Sequence, residues 1–186
     1  MPAVKEKHNI KDYKLLPEGA PYQLIEGELV MTPSPTTFHQ IILGNLNEKI
    51  RAFVKEKGAG LVLFAPIDIY LDDENVFQPD LVFVSKQRRD IIKDDGIHGA
   101  PDLVIEILSP STAYYDMKKK YRIYEKFGVK EYWMVDPEMK SVDQFTLSEG
   151  GKFLPGASVA EQGTVKSGIL VGFETTLDEL FRAQDI

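Results

Sequence analysis

The sequence predicts a mixed α/β fold in which strands outnumber helices. Three observations carry this. Short apolar and β-branched runs bounded by Gly, Pro and Asp recur along the chain. Two longer stretches, residues 37–57 and about 112–127, instead repeat their apolar residues at helical spacing. Between them lies Leu103–Leu108, an apolar run of strand length interrupted only by Glu106. Such a run needs cover on both faces, so it belongs in the middle of a sheet.

In chain order, residues 1–10 are polar and read as a loose segment, with one domain expected over 11–186. Tyr22–Ile25 and Glu28–Met31 flank Gly27 and predict a β-hairpin. Thr32–Pro35 breaks the second strand. A helix then opens at Ser34, or at Thr37 with Gln40 three residues on. Ile42, Leu43, Leu46, Ile50, Phe53 and Val54 carry it to about Lys57, where Gly58 and Gly60 end it. Leu61–Phe64, Ile67–Leu71 and Leu81–Val84 are strand-like, with a turn at Asp72–Asn75. Residues 85–100 are polar, with at most one helical turn. Ser109–Thr112 caps the second helix, closed by Gly128. Glu131–Val135 is a further strand, Asp136–Pro137 a turn and Val142–Leu147 an outer strand. Lys152–Leu154, Ser158–Val159 and Ile169–Val171 are β-like pieces, and Leu177–Phe181 is a short terminal helix.

Composition narrows the class. The 186 residues include 43% hydrophobic and 27% charged side chains, which are globular values and exclude a wholly disordered chain. There is no Cys, so disulfides, thiolate zinc sites and Cys nucleophiles are excluded, in keeping with a cytoplasmic location. No apolar run approaches the ~20 residues that span a bilayer, and the N-terminal segment lacks a signal-peptide apolar core. The net charge of −7 argues against coating nucleic acid by bulk charge, although not against a small local site. Walker loops, GxGxxG, GxSxG and HExxH are absent.

Three acids sit badly with a purely structural role. Glu106 lies inside the most apolar run, where an unpaired carboxylate costs several kcal/mol or takes up a proton. Asp80 follows Pro79 at a strand start, and Glu28 lies in the first hairpin. Asp80 and Glu106, on strands that could be neighbours, can converge on one hard divalent cation; alternatively Glu106 pairs with a buried Lys or Arg. On a helical wheel Ala113, Met117, Tyr121, Tyr124 and Phe127 share a face, and Lys120 falls within that apolar arc. It needs a snorkelling route or a carboxylate, and Glu106 is the natural partner, either as a structural ion pair or as part of a phosphate-handling site. His39 lies on the apolar side of the first helix's first turn, as a core residue or a functional one. Lys118, Lys119, Arg122 and Lys126 form a basic stripe, and Arg88 and Arg89 a second patch. Each is either a solvated face or a phosphate contact.

The ordered motifs Glu26–Pro33 with His39, Gln78–Leu81, Pro101–Thr112, Asp116…Lys120…Tyr124 and Gly128–Pro137 resemble the Uma-two family of restriction-endonuclease-like proteins. That family is grouped with the PD-(D/E)XK nuclease superfamily, and the resemblance spans roughly residues 12–181. It implies a restriction-endonuclease-like core, a mixed β-sheet flanked by helices. It also implies a metal site with Asp80 as the "PD" acid, Glu106 as the "(D/E)" acid, Glu28 as an additional acid and the Ile107 carbonyl as a further ligand. The usual Lys, two residues after the acid, is here Leu108. The superfamily pattern also admits a Lys recruited from the following helix, and Lys120 suits that role. His39 matches the family's His position. Asp102 also follows a Pro, but four residues along one strand place it about 13 Å from Glu106, too far to share an ion easily.

The resulting expectation is a Mg²⁺- or Mn²⁺-dependent endonuclease acting on DNA, with Asp80, Glu106, Lys120, Glu28 and His39 in its site and a homodimer to cut both strands. Lys118, Lys119, Arg122, Arg88 and Arg89 would meet the phosphate backbone. The competing expectation is an inactive nuclease-fold module that binds nucleic acid or another partner, since a fold does not dictate its chemistry. A small-molecule hydrolase is the third.

Overall fold

A computed structural model describes residues 7–110 and 114–183. The chain opens with α1 (Ile10–Tyr13), capped by the Asn9 side chain, which accepts the Lys11 N–H at 2.8 Å. Just ahead of it the His8 N–H donates to the Gly27 carbonyl, and the N–H of Ile10, its first residue, donates to the Asp73 carbonyl. Strands β1 (Tyr22–Ile25) and β2 (Glu28–Met31) form the expected antiparallel hairpin. Glu26 and Gly27 both adopt positive φ, 53° and 78°, as a tight two-residue turn between right-twisted strands requires.

Helix α2 (Thr37–Lys57) is capped by neither Ser34 nor Thr37. Thr36 does this, its hydroxyl accepting the His39 N–H at 3.2 Å. Gly58 closes the helix at φ 56°, while Gly60 is already the first residue of β3 (Gly60–Phe64). β4 (Ile69–Asp72) starts two residues later than expected. The Asp72–Asn75 turn leads into β5 (Asn75–Phe77), a strand that periodicity did not reveal. β6 (Leu81–Ser85) is followed by a 3₁₀ turn (Lys86–Ile91) and two short strands, β7 (Ile92–Lys93) and β8 (Gly96–His98).

β9 (Leu103–Ile107) is buried at every position. The expected helix cap at Ser111 and Thr112, and Ala113 of the wheel, lie outside the described residues. The helix itself begins with a π-helical turn (Tyr115–Lys120) that runs into α3 (Tyr121–Phe127) and stops at Gly128. β10 (Glu131–Asp136), β11 (Ser141–Leu147) and β12 (Phe153–Ala160) follow, then β13 (Thr164–Lys166), β14 (Glu174–Thr176) and α4 (Leu177–Leu180). β12 is one strand where two fragments were expected, and Ile169–Val171 is not a strand.

Two six-stranded sheets result, ordered β2-β1-β5-β4-β8-β7 and β12-β11-β10-β9-β6-β3, with β13-β14 as a separate pair. The second sheet is mixed: β9 runs parallel to β10 and antiparallel to β6. β11 is interior, not outer, because β12 forms the edge. Period-two alternation assigns the faces. Leu81, Phe83, Leu103, Ile105, Ile107, Trp133 and Val135 pack with α2 and α4. Val82, Val84, Val104, Tyr132 and Met134 face α3 and the first sheet. Glu106 shares the parity of Val104, so its carboxyl enters the layer beneath α3. No helix among the described residues is long and apolar enough to cross a membrane.

Candidate active site

The ladder between β6 and β9 ends at Leu81 opposite Ile105. One step further, Asp80 stands opposite Glu106 at the mouth of the strand pair. There a side chain takes over from the main chain: Asp80 Oδ2 accepts the Ile107 N–H at 2.7 Å. Asp80 Oδ1 lies 3.3 Å from His39 Nε2, so the first turn of α2 reaches the same point. Burial draws the His39 imidazole down, but the hydrogen bond and charge of Asp80, with the Ile107 backbone and Asp116, outweigh it. His39 is therefore held above its ordinary pKa. His39 is thus buried and also paired with Asp80.

Glu106 and Lys120 are both almost sealed from solvent, with side chains 4% and 3% exposed. Lys120 Nζ donates to Glu106 Oε1 at 3.0 Å, and the Tyr124 hydroxyl donates to the same oxygen at 2.7 Å. Lys120 Nζ also lies 2.9 Å from Asp116 Oδ1 and rests over the Phe77 ring. Burial pushes the Glu106 carboxyl up to about 8; Lys120 pulls against this, while the charges of Asp116 and Asp80 reinforce it. Burial works against the Lys120 ammonium, yet Asp116 and Glu106 overcome it and hold Lys120 above the usual lysine range.

The π-helical turn corrects the wheel. Its i→i+5 spacing is wider than that of an α-helix, so the residues before Lys120 rotate relative to an ideal wheel. Asp116 turns inward to 2% exposure, whereas Met117, expected on the buried face, is 52% exposed. The inward placement of Lys120 and Tyr124 holds.

The remaining candidates make other contacts. Glu28 stands with Glu26 around Lys119, whose Nζ is 3.7 Å and 3.3 Å from their carboxylates. Lys119 is thereby drawn out of the exposed basic stripe. Lys118 sits over the Tyr114 ring, and Arg122 Nε donates to the Lys118 carbonyl; both residues remain exposed. Lys126 lies 3.7 Å from Asp72. Arg88 leans towards Asp102 at 3.6 Å, and Arg89 is exposed. Asp102 is at the far end of β9, where it accepts the Ser85 N–H and pairs with Lys130 at 2.6 Å. It is a structural acid.

The oxygen donors at the strand mouth fit a hard divalent cation in kind. Two carboxylates, Glu106 and Asp116, share the Lys120 ammonium, and the charges of Asp116 and Asp80 add to burial in raising the Glu106 carboxyl. No three Asp, Glu or His side chains among the described residues form a ready-made cage. Mg²⁺ does not require one: it commonly takes one or two carboxylates and fills its octahedron with water and substrate oxygens.

Sequence reasoning gave no role to Asp116 or Tyr124, both buried partners of the Glu106–Lys120 pair. Their spacing of four on either side of Lys120 was the available signal. Glu131 was also missed. It is 1% exposed and accepts the Ser167 hydroxyl and the Ile169 N–H, a structural tie on the opposite face.

A family model, Uma2, described as "Putative restriction endonuclease", matches residues 10–178. The structure resembles a crystal structure from Anabaena variabilis titled as a "putative nuclease belonging to DUF820". The TM-score is 0.76 and the identity 20%, over 93% of this chain and 97% of that one, a likeness of fold. No curated protein matches the chain.

Proposed function

Because the chain belongs to the Uma2 family, we propose that it is a metal-dependent nuclease that hydrolyses DNA phosphodiester bonds. The observation that carries this reading is the convergence at one strand mouth. There Asp80, opposite Glu106, binds the Ile107 main chain, while Lys120 reaches Glu106 from the following helix. Asp80 and Glu106, with the Ile107 carbonyl, would hold Mg²⁺ or Mn²⁺. Bound there, the ion would supply a more acidic water and neutralise charge on the phosphate.

The chain's own groups do the rest. His39 holds Asp80 from the α2 side and keeps its carboxylate oriented. Tyr124 orients Glu106 by donating to Oε1. Lys120, kept cationic by two carboxylates, carries the positive charge that a phosphate or an attacking water would meet. The exposed Lys118, Arg122 and Arg89 offer a modest grip on the phosphate backbone, which suits an acidic chain. A homodimer would set two such sites against the two strands of a duplex.

The second reading, a nuclease-fold module that binds without turnover, draws on the near-complete burial of Glu106 and Lys120 and on Leu108 in the usual Lys position. Nicking of supercoiled plasmid with Mg²⁺ or Mn²⁺, together with calorimetric metal titration, separates the two. The nuclease reading expects metal-dependent nicking, lost by at least a hundredfold in Asp80→Ala and Glu106→Ala, with metal binding weakened in parallel. Wild-type protein that binds DNA but never nicks it, or nicking unchanged in both variants, would reject the reading.

A further inference from the structure

Leu108 shares the parity of Glu106 and joins the cluster beneath α3. The strand position that would deliver a Lys to the site is thus apolar, and the ammonium comes from Lys120 on a helix instead. A lysine on a four-carbon stem entering from a separate element has many rotamers to lose and needs more than one anchor. Glu106 is one anchor, at 3.0 Å. If Glu106 also serves a cation, its oxygens are shared, and Lys120 needs a hold that does not depend on it. Asp116 has that geometry. Its Oδ1 is 2.9 Å from Lys120 Nζ, its side chain is 2% exposed, and its main-chain carbonyl accepts the Tyr132 hydroxyl at 3.1 Å. The side chain grips the ammonium while the carbonyl pins the π-helical turn to β10. Without the wider turn, Asp116 would sit at the rim of the inward arc rather than at its centre.

We infer that Asp116 is a positioning residue, anchoring the Lys120 ammonium independently of Glu106 so that the helix-borne lysine stays in place while Glu106 is engaged. The inference rests on the nuclease reading for its kinetic consequence, but the anchoring itself can be measured without turnover.

Kinetics of plasmid nicking with Mg²⁺ test the consequence. Asp116→Asn, close to isosteric, should lower kcat at least tenfold with KM changed less than about twofold, the pattern of a group that acts on the transition state. Asp116→Glu should recover part of the loss. In a Lys120→Met background, Asp116→Asn should cost nothing further, because its effect runs through Lys120. Wild-type kcat in Asp116→Asn, or additive losses in the double variant, would overturn the inference. Anchoring is read by NMR of the Lys120 ¹⁵Nζ ammonium in metal-free protein. A signal in slow exchange with water should be present in the wild type and lost in Asp116→Asn; identical spectra would refute the anchor. If Asp116→Asn does not fold, the wild type decides: the signal should persist when Mg²⁺ is added, and its disappearance would count against independent anchoring. Wild-type protein that never nicks DNA sinks the nuclease reading alone and leaves the NMR test standing.

Discussion

Two Pro-Asp pairs in this chain meet opposite fates, and the difference is one of surroundings. Asp80 ends a strand pair beside another acid. Asp102 ends the same central strand at its other side, with Lys130, Arg88 and the Ser85 N–H around it. Burial would raise the Asp102 carboxyl, but the Lys130 contact and the Ser85 amide outweigh it and hold Asp102 below its ordinary pKa. A depressed pKa means that stability is present above the unfolded carboxyl range and lost as pH falls through the lower folded value. Asp102→Asn should therefore cost about 1–3 kcal/mol near neutral pH. In denaturant melts the gap to wild type should narrow as the pH drops below about 4; a constant gap would contradict the assignment. Single residues were also where the sequence was most legible. An acid inside an apolar strand and a lysine inside an apolar helix face had to be partnered, and they are partnered with each other. Asp116 escaped notice because a wheel drawn at α-helical pitch leaves it at the rim.

At the level of elements, periodicity located the long helix, the hairpin and the central strand, because each carries enough residues to show its repeat. It failed for β5, β7 and β8, which have two or three residues each and exist only through their pairing partners. It split β12 because Pro155 and Gly156 interrupt the pattern. β12 is an edge strand, where a missing N–H is tolerated, and Gly156 packs against the Gln144 backbone. The cap of α2 links an element to the site, since Thr36 receives the N–H of His39 and His39 reaches Asp80. Thr36→Ala should cost about 1 kcal/mol. That corresponds to roughly 2–4 °C in Tm for a chain of this size, measurable by thermal unfolding. Nicking should fall with it as His39 loses its fixed entry angle; an unchanged rate at an unchanged Tm would show that the cap contributes little.

Across the whole molecule, the central sheet is clamped from two sides, and only one of them carries the site. On the opposite face Glu131 binds the Ser167 hydroxyl, the Ile169 N–H and the Trp133 indole, fastening the segment that leads into β14 and α4. Glu131→Ala would leave these buried donors unpaired, at a cost of about 3–5 kcal/mol. Tm should fall by roughly 10 °C, and amide exchange over residues 164–176 should accelerate more than exchange in β9. Uniform acceleration throughout would show that the clamp is not local.

The net charge of −7 is also a matter of placement. Two of the acids, Glu106 and Asp116, hold Lys120, and two more, Glu26 and Glu28, stand around Lys119. A share of the negative charge is thus neutralised by lysines within the fold. The sequence by itself determined the mixed α/β class, the central strand with its buried acid, the partner lysine and the family motifs, because these follow from local periodicity and from the cost of burying charge. Tertiary structure alone decided that Asp80 stands opposite Glu106, that Glu28 turns to Lys119, that His39 meets Asp80 and that a π-helical turn brings in Asp116. Each of those contacts depends on where separate elements end, or on a departure from ideal pitch, and neither is written in the spacing of the residues.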